Sequence, residues 1–132
     1  MRDIVTPISR RQAAEHARIS EALDELLRDI CVLRDEAAVA DGMLLVLARR
    51  IMADTARLVS REPGARAMKR LPAGASLPAA VVRDTLNDAR LALRTFERAH
   101  GWRDDPMGEV SWLTHEEMRE WGEIENPHPA TP

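Results

Sequence analysis

The chain has 132 residues, 45% of them hydrophobic, and a formal net charge of −3. That length suits one domain, and the net acidity argues against a dedicated nucleic-acid binder, for which a clearly basic domain is expected. The single cysteine, Cys31, excludes a disulfide framework and a cysteine-based zinc site within one chain.

The first predicted element is a flexible leader over residues 1–8, in which Pro7 keeps the preceding residue extended. No apolar run follows the early arginines, so we expect no signal peptide. The longest apolar run, residues 43–48, is far too short to span a bilayer. These patterns predict a cytoplasmic protein without membrane contact.

A heptad pattern of apolar residues dominates the first half of the chain. Its positions recur at steps of four and three residues, and the only polar one is Asp54. The apolar members are Ile19, Leu23, Leu26, Ile30, Leu33, Ala37, Ala40, Leu44, Leu47, Ile51 and Leu58. Such a seam places one apolar stripe along a helix and requires a partner helix. Together with a capping box formed by Ser9 and Gln12, it predicts one long or kinked helix over residues 9–61.

The Asp41–Gly42 pair leaves an alternative open. Asp–Gly is a turn signal, and glycine inside a helix costs about 1 kcal/mol relative to alanine. Because the heptad phase continues through Gly42, we favour a single helix. The alternative is two helices that break at this glycine.

Proline and glycine punctuate residues 62–76, which we expect to form a loop. A second long helix is predicted over residues 77–100. Pro78 suits its first turn, where a missing amide hydrogen costs nothing. Apolar residues at steps of four and three over residues 82–96 supply its core stripe.

A short helix is predicted over residues 114–122, because Thr114 and Glu117 have the spacing of a capping box. A flexible tail over residues 123–132 follows it. The elements together predict an all-α fold with a single helical domain over residues 9–122. We expect an elongated antiparallel helical bundle of three to four helices, completed by dimerisation through the heptad seam.

Charge is unevenly distributed along the chain. Residues 49–70 carry seven cations and two anions, a net of +5, whereas residues 101–132 carry two cations and eight anions, a net of −6. The acidic segment can lie near the basic one, within the chain or across a dimer. Alternatively, the basic segment contacts an anionic partner. The candidate anion-binding residues are Arg49, Arg50, Arg57, Arg61, Arg66, Lys69 and Arg70.

All three tryptophans lie in the last quarter of the chain, among other apolar residues on an acidic background. This segment either folds back to cap the helical core or docks another protein, since tryptophan and methionine are enriched among interface anchors. The candidate protein-binding residues are Trp102, Trp112, Met118 and Trp121.

No pattern indicates a catalytic site, and we predict no catalytic residues, metal or cofactor. His115 lacks the second histidine of a helical zinc-protease motif, because Arg119 stands four residues on. Carboxylate pairs such as Glu21 and Asp24 are flanked by arginines, which favours surface ion pairing. His16 falls in phase with the seam, where a polar residue can set helix pairing or respond to pH.

The sequence therefore favours a non-enzymatic helical interaction protein, such as an adaptor, an assembly factor or an inhibitory accessory factor. It is expected to form a homodimer through the seam and to bind another protein. One alternative is a nucleic-acid-associated protein that uses the basic segment over residues 49–70. The other is a metal-dependent all-α hydrolase that uses facing carboxylate pairs.

Overall fold

The computed structural model describes residues 5–32, 38–62 and 68–125, and this part of the chain is mostly helical. The helices are α1 (Arg10–Cys31), α2 (Gly42–Val59), α3 (Ala79–His100) and α4 (His115–Glu125). Four short strands lie between them, namely β1 (Val39–Asp41), β2 (Ser76–Pro78), β3 (Gly101–Trp102) and β4 (Ser111–Trp112). The mostly helical class agrees with the sequence prediction, whereas the strands are additional features.

Helix α1 begins with the capping box that the sequence indicates. The Ser9 hydroxyl oxygen accepts a hydrogen bond from the Gln12 amide at 3.1 Å, and Gln12 Oε1 accepts one from the Ser9 amide at 3.0 Å. Two amides at the start of the helix, which lack partners within it, are satisfied in this way. The helix start is therefore determined by local sequence.

The prediction of one continuous helix over residues 9–61 is wrong. Helix α1 ends at Cys31, and α2 begins only at Gly42, after strand β1. Gly42 has a backbone φ of 52°, in the left-handed region that a residue with a Cβ enters only with strain. The turn signal at Asp41–Gly42 therefore outweighs the heptad phase.

The buried face of helix α2 is rotated relative to the one that the heptad predicts, although the seam residue Ile51 is buried as predicted. Its buried residues include Leu45, Ala48 and Met52, each one position after a residue of the predicted seam. Leu47, a seam residue, is instead 40% exposed. Because the break before Gly42 changes the rotation of the second helix, the seam predicts the burial of α2 only in part.

Helices α2 and α3 run in the same direction. Strands β1 and β2 pair antiparallel, with Ala40 opposite Leu77, so the two helices start side by side. At the other end, Glu62 lies just beyond α2 and contacts His100, the last residue of α3. Both ends of this helix pair are thus held by specific contacts.

Helix α1 runs antiparallel to α3, and therefore to α2 as well. His16 Nε2 lies 3.8 Å from Glu97 Oε2 near the end of α3, whereas Asp24, two turns further along α1, pairs with Arg90, two turns earlier on α3. Arg18 also pairs with Asp54 on α2 at 3.0 Å. The three helices enclose one main apolar cluster. Its buried members on α1 are Ile19, Leu23, Leu26, Leu27 and Ile30. The part of the seam on α1 is therefore covered within one chain and is not exposed for pairing with a second copy.

The residues immediately ahead of α1 are packed, which corrects the prediction of a flexible leader for residues 5–8. The Thr6 amide donates to the Ala99 carbonyl at 3.0 Å. Ile8 is 2% exposed, and its amide donates to the Leu113 carbonyl at 2.9 Å. Its own carbonyl accepts from the His115 amide at 2.9 Å. Residues 1–4 lie outside the described part of the chain.

Several boundaries differ from the predicted ones by a few residues. Helix α3 starts at Ala79 rather than at residue 77, because residues 76–78 pair with β1. Helix α4 continues to Glu125, so the predicted tail over 123–132 is wrong for its first three residues. Residues 126–132 lie outside the described residues.

In the ranges that are described, no helix combines the length and the apolar character needed to cross a bilayer.

Candidate functional site

An open groove of about 330 Å³ lies between α2 and the segment over residues 68–71. We call it the basic groove. Its lining residues are Arg49, Met52, Ala53, Ala56, Met68, Lys69, Arg70 and Leu71. Four of these come from α2 and four from the segment that leads towards β2, so the groove exists only where the two meet.

The floor of the basic groove is apolar. Ala53 and Ala56 lie three positions apart on α2 and so share a flank of the helix, where their small side chains leave space. Met52 is 8% exposed and closes the bottom from the core side. Met68 and Leu71 are half-buried and pack against the apolar core, which anchors the opposite wall.

Two sets of polar contacts hold the wall in place. The Lys69 amide donates to Asp88 Oδ2 on α3 at 2.9 Å. Arg49 Nη2 donates to the carbonyls of Pro72 and Gly74 at 3.0 and 2.8 Å. Both acceptors of Arg49 are neutral, so these bonds position the guanidinium without neutralising its charge.

Three cations surround this apolar floor, namely Arg49, Lys69 and Arg70. The side chains of Lys69 and Arg70 are exposed at the rim. A concave surface lined by charges of one sign concentrates ligands of the opposite sign. With the neighbouring Asp88 carboxylate counted against these three cations, the basic groove keeps a local excess of positive charge, although the whole chain is acidic.

The structure brings together only part of the predicted anion-binding set. Arg50 and Arg57 are exposed on α2 outside the groove, and Arg57 lies 3.5 Å from Asp54. Arg61 is exposed beyond the end of α2, and Arg66 lies outside the described residues. The sequence indicates the charge of this region, but not its apolar floor, because the floor forms only when residues 68–71 fold back beside α2.

The lining of the groove limits what it can do chemically. Among its described lining residues there is no carboxylate, imidazole, hydroxyl or thiol. Those groups carry most acid–base and nucleophilic catalysis in proteins. Cations around an apolar floor are instead suited to a ligand that joins anionic and apolar groups.

The four predicted protein-binding residues do not form one cluster. Trp112 is half-buried and packs its ring 5.8 Å from Phe96, so it caps the core. Trp102, Met118 and Trp121 are 39%, 45% and 49% exposed. The last two lie on α4, whereas Trp102 lies in β3.

The acidic C-terminal segment contacts the start of α1. Glu116 Oε2 accepts a hydrogen bond from the Arg10 amide at 2.7 Å, and Glu120 pairs with the Arg10 guanidinium at 2.8 Å. Among the hydrogen bonds and ion pairs of the described residues, none joins α4 to the lining of the basic groove. Within the described residues, the contacts of α4 are therefore with the start of α1 and not with the basic groove.

His16 is buried in an aromatic environment. Its ring lies 4.7 Å from the ring of Trp112 and 5.9 Å from that of Phe96. Nε2 has no hydrogen-bond partner, and the nearest carboxylate oxygen, Glu97 Oε2, is 3.8 Å away. Burial lowers the pKa of His16 below its ordinary value of 6.5, although Glu97 opposes the shift.

A second buried histidine, His100, was not singled out by the sequence. Its Nδ1 lies 2.7 Å from the Thr6 carbonyl oxygen, and its Nε2 lies 2.8 Å from the Glu62 carboxylate. It joins the N-terminal segment, α2 and α3 at one end of the molecule. No sequence spacing links residues this far apart, so only the tertiary structure identifies the contact.

The remaining candidates for chemistry have structural partners or stand alone. Asp24 pairs with Arg90, and Cys31 is exposed. Across residues 5–32, 38–62 and 68–125, no group of three or more histidine, cysteine, aspartate or glutamate side chains converges as a metal site.

Comparison with known proteins identifies no relative: no protein-family model, no curated protein and no solved structure matches the chain significantly. The function is therefore argued from the geometry of the molecule.

Proposed function

We propose that this protein is a non-enzymatic interaction protein whose basic groove binds an acidic, amphipathic segment of another protein. The observation that carries the proposal is the combination of an apolar floor with a rim of three cations, Arg49, Lys69 and Arg70. A partner of this kind places apolar side chains on the floor and carboxylates at the rim.

The size of the groove favours a short segment over a folded domain surface. A volume of about 330 Å³ is at the lower end of ligand pockets, so it accommodates a few side chains. Small anchoring pockets of this kind carry much of the affinity in interfaces between proteins.

Self-association and a cytoplasmic location, both expected from the sequence, remain part of this proposal. The protein would then act as an adaptor, an assembly factor or an inhibitor that presents one groove per copy. The alternative of nucleic-acid binding uses the same cations, but it lacks support from aromatic side chains in the groove lining on which bases could stack.

The direct test is fluorescence anisotropy with a labelled amphipathic peptide that carries glutamates on one face and leucines on the other. We expect saturable binding, weakened about tenfold by Lys69→Glu combined with Arg70→Glu, because the rim then repels carboxylates. The matched control is Arg94→Glu, an exposed charge reversal on α3 away from the groove, which should leave binding unchanged.

Three results would contradict the proposal. The peptide fails to bind, Arg94→Glu weakens binding as much as the rim variants do, or a peptide with lysines in place of the glutamates binds equally well. A labelled DNA duplex that binds more tightly than the peptide, with an affinity that falls steeply with salt, would favour the nucleic-acid alternative.

A further inference from the structure

Helix α2 presents an apolar stripe to solvent on the face opposite to the core. Met43, Val46 and Leu47 are 69%, 58% and 40% exposed, and Val39 on the preceding strand is 52% exposed. We call these four residues the outer stripe. Met43, Val46 and Leu47 are spaced by three and four positions and so lie along one side of the helix.

This stripe is unusual because the opposite face of the same helix is already buried. Leu45, Ala48 and Met52 pack in the core, so the first half of α2 is apolar on both sides. A surface helix normally has one apolar face and one polar face. Contiguous exposed apolar side chains, unlike single ones, mark interaction surfaces.

Two exposed charges of opposite sign flank the outer stripe. Asp41 lies at its N-terminal end, immediately before α2, and its side chain makes no capping hydrogen bond to the helix. Arg50 lies at the C-terminal end, on the same face as Met43 and Val46, four positions beyond the latter. The surface therefore carries a negative end, an apolar middle and a positive end.

We infer that the outer stripe is the surface through which two copies of this chain associate, with the two α2 helices antiparallel. This assigns a surface to the self-association that the proposed function includes, and it rests on that part of the proposal. Antiparallel pairing about a two-fold axis near Val46 brings Asp41 of each copy to the level of Arg50 of the other. The contact is therefore self-complementary, as a two-fold interface requires, and it forms two ion pairs.

The sign of the charges decides the direction of the pairing. A parallel arrangement would place Asp41 against Asp41 and Arg50 against Arg50, and like charges across an interface are unfavourable. The surface is small, since stable interfaces use about 20–30 residues on each side. The dimer is therefore weak, with a dissociation constant in roughly the micromolar range.

The test is sedimentation equilibrium over a range of protein concentrations, with helicity checked by circular dichroism. The full chain should change from monomer to dimer as its concentration rises. Val46→Glu should abolish the dimer, because it buries a charge in the middle of the interface. The matched control is Leu91→Glu on α3, an exposed apolar residue outside the stripe, which should leave the dimer unchanged.

Charge reversal tests the antiparallel arrangement itself. Asp41→Arg and Arg50→Asp should each weaken the dimer about tenfold, since each places like charges opposite one another twice. The double variant should restore the dissociation constant to near that of the parent, because the opposite charges face each other again. Neither side chain makes a capping bond or ion pair in the described part of the chain, so each single variant is expected to keep the fold.

The outcomes separate the inference from the proposed function. A dimer that survives Val46→Glu, or one that the double variant fails to restore, overturns the inference and leaves self-association standing. A chain that stays monomeric at all concentrations overturns both the inference and the self-association on which it rests. Peptide binding to the basic groove is measured independently, since the groove variants at Lys69 and Arg70 lie outside the stripe.

Discussion

His16 is a titratable residue buried among aromatic side chains. Its imidazole is 4% exposed and packs between aromatic rings. Charging a ring in such a place is unfavourable because burial removes its hydration. The position of His16 in phase with the apolar residues of α1 indicates burial from the sequence alone. The identity of its neighbours, Phe96 and Trp112, depends on the tertiary structure.

The stability of the fold should fall as the pH decreases through about 6.5. The pKa of His16 is lower in the folded chain than its ordinary value of 6.5, so between the two values the unfolded chain binds a proton that the folded chain does not. The loss has a slope of at most about 1.4 kcal/mol per pH unit and levels off below the folded pKa. Urea denaturation between pH 8 and pH 5 measures it, at about one-unit steps.

His16→Phe should remove this contribution, because the apolar ring suits the site and does not titrate. The control is His115→Gln, at an exposed position on α4, which should keep the pH dependence of the parent chain. If His16→Phe and the parent lost stability in parallel as the pH fell, the buried imidazole would not be the source.

Helix α2 illustrates the limit of sequence periodicity at the scale of an element. The heptad spacing predicts Leu44 and Leu47 in the core. The structure leaves Leu44 half-buried against the core and exposes Leu47, and it fully buries the next residues, Leu45 and Ala48. Both faces of this helix are apolar in its first half, so periodicity cannot distinguish them. The choice is made by strand β1, which pairs with β2 and sets the rotation at which α2 starts.

Two leucines separated by two positions should respond very differently to truncation. Leu45→Ala removes a side chain that is 2% exposed and should lower the free energy of unfolding by about 3 kcal/mol. Leu47→Ala, at 40% exposure, should change it by less than about 1 kcal/mol. Denaturation at a concentration where the chain is monomeric gives both values. If Leu47→Ala lowered the free energy of unfolding as much as Leu45→Ala or more, the result would contradict this rotation of α2 and favour the one that the heptad predicts.

At the scale of the whole molecule, charge and apolar surface are separated into distinct regions. The basic groove lies beside the middle of α2, the acidic α4 contacts the start of α1, and the outer stripe lies on the exposed face of α2. A net charge of −3 conceals this arrangement. The two proposed interactions should therefore differ in their sensitivity to salt.

Binding of the acidic peptide should weaken about tenfold when NaCl rises from about 50 to about 300 mM, because screening over distances near 10 Å reduces attraction between exposed charges. The dimer should weaken less, since its centre is apolar. Anisotropy and sedimentation at both salt concentrations measure the two effects. Peptide binding that is unaffected by salt would show that the cationic rim contributes nothing.

The sequence by itself determined the mostly helical class, the capped start of α1 and the basic character of residues 49–70, because local periodicity, capping and composition act over a few residues. The sequence left the break before Gly42 open as an alternative. The tertiary structure alone decided the rotation of α2, the contact of His100 with Glu62 and the apolar floor of the groove. Each of these depends on segments distant in the sequence, and their packing outweighs a regular apolar pattern whenever two faces of a helix are nearly equally apolar.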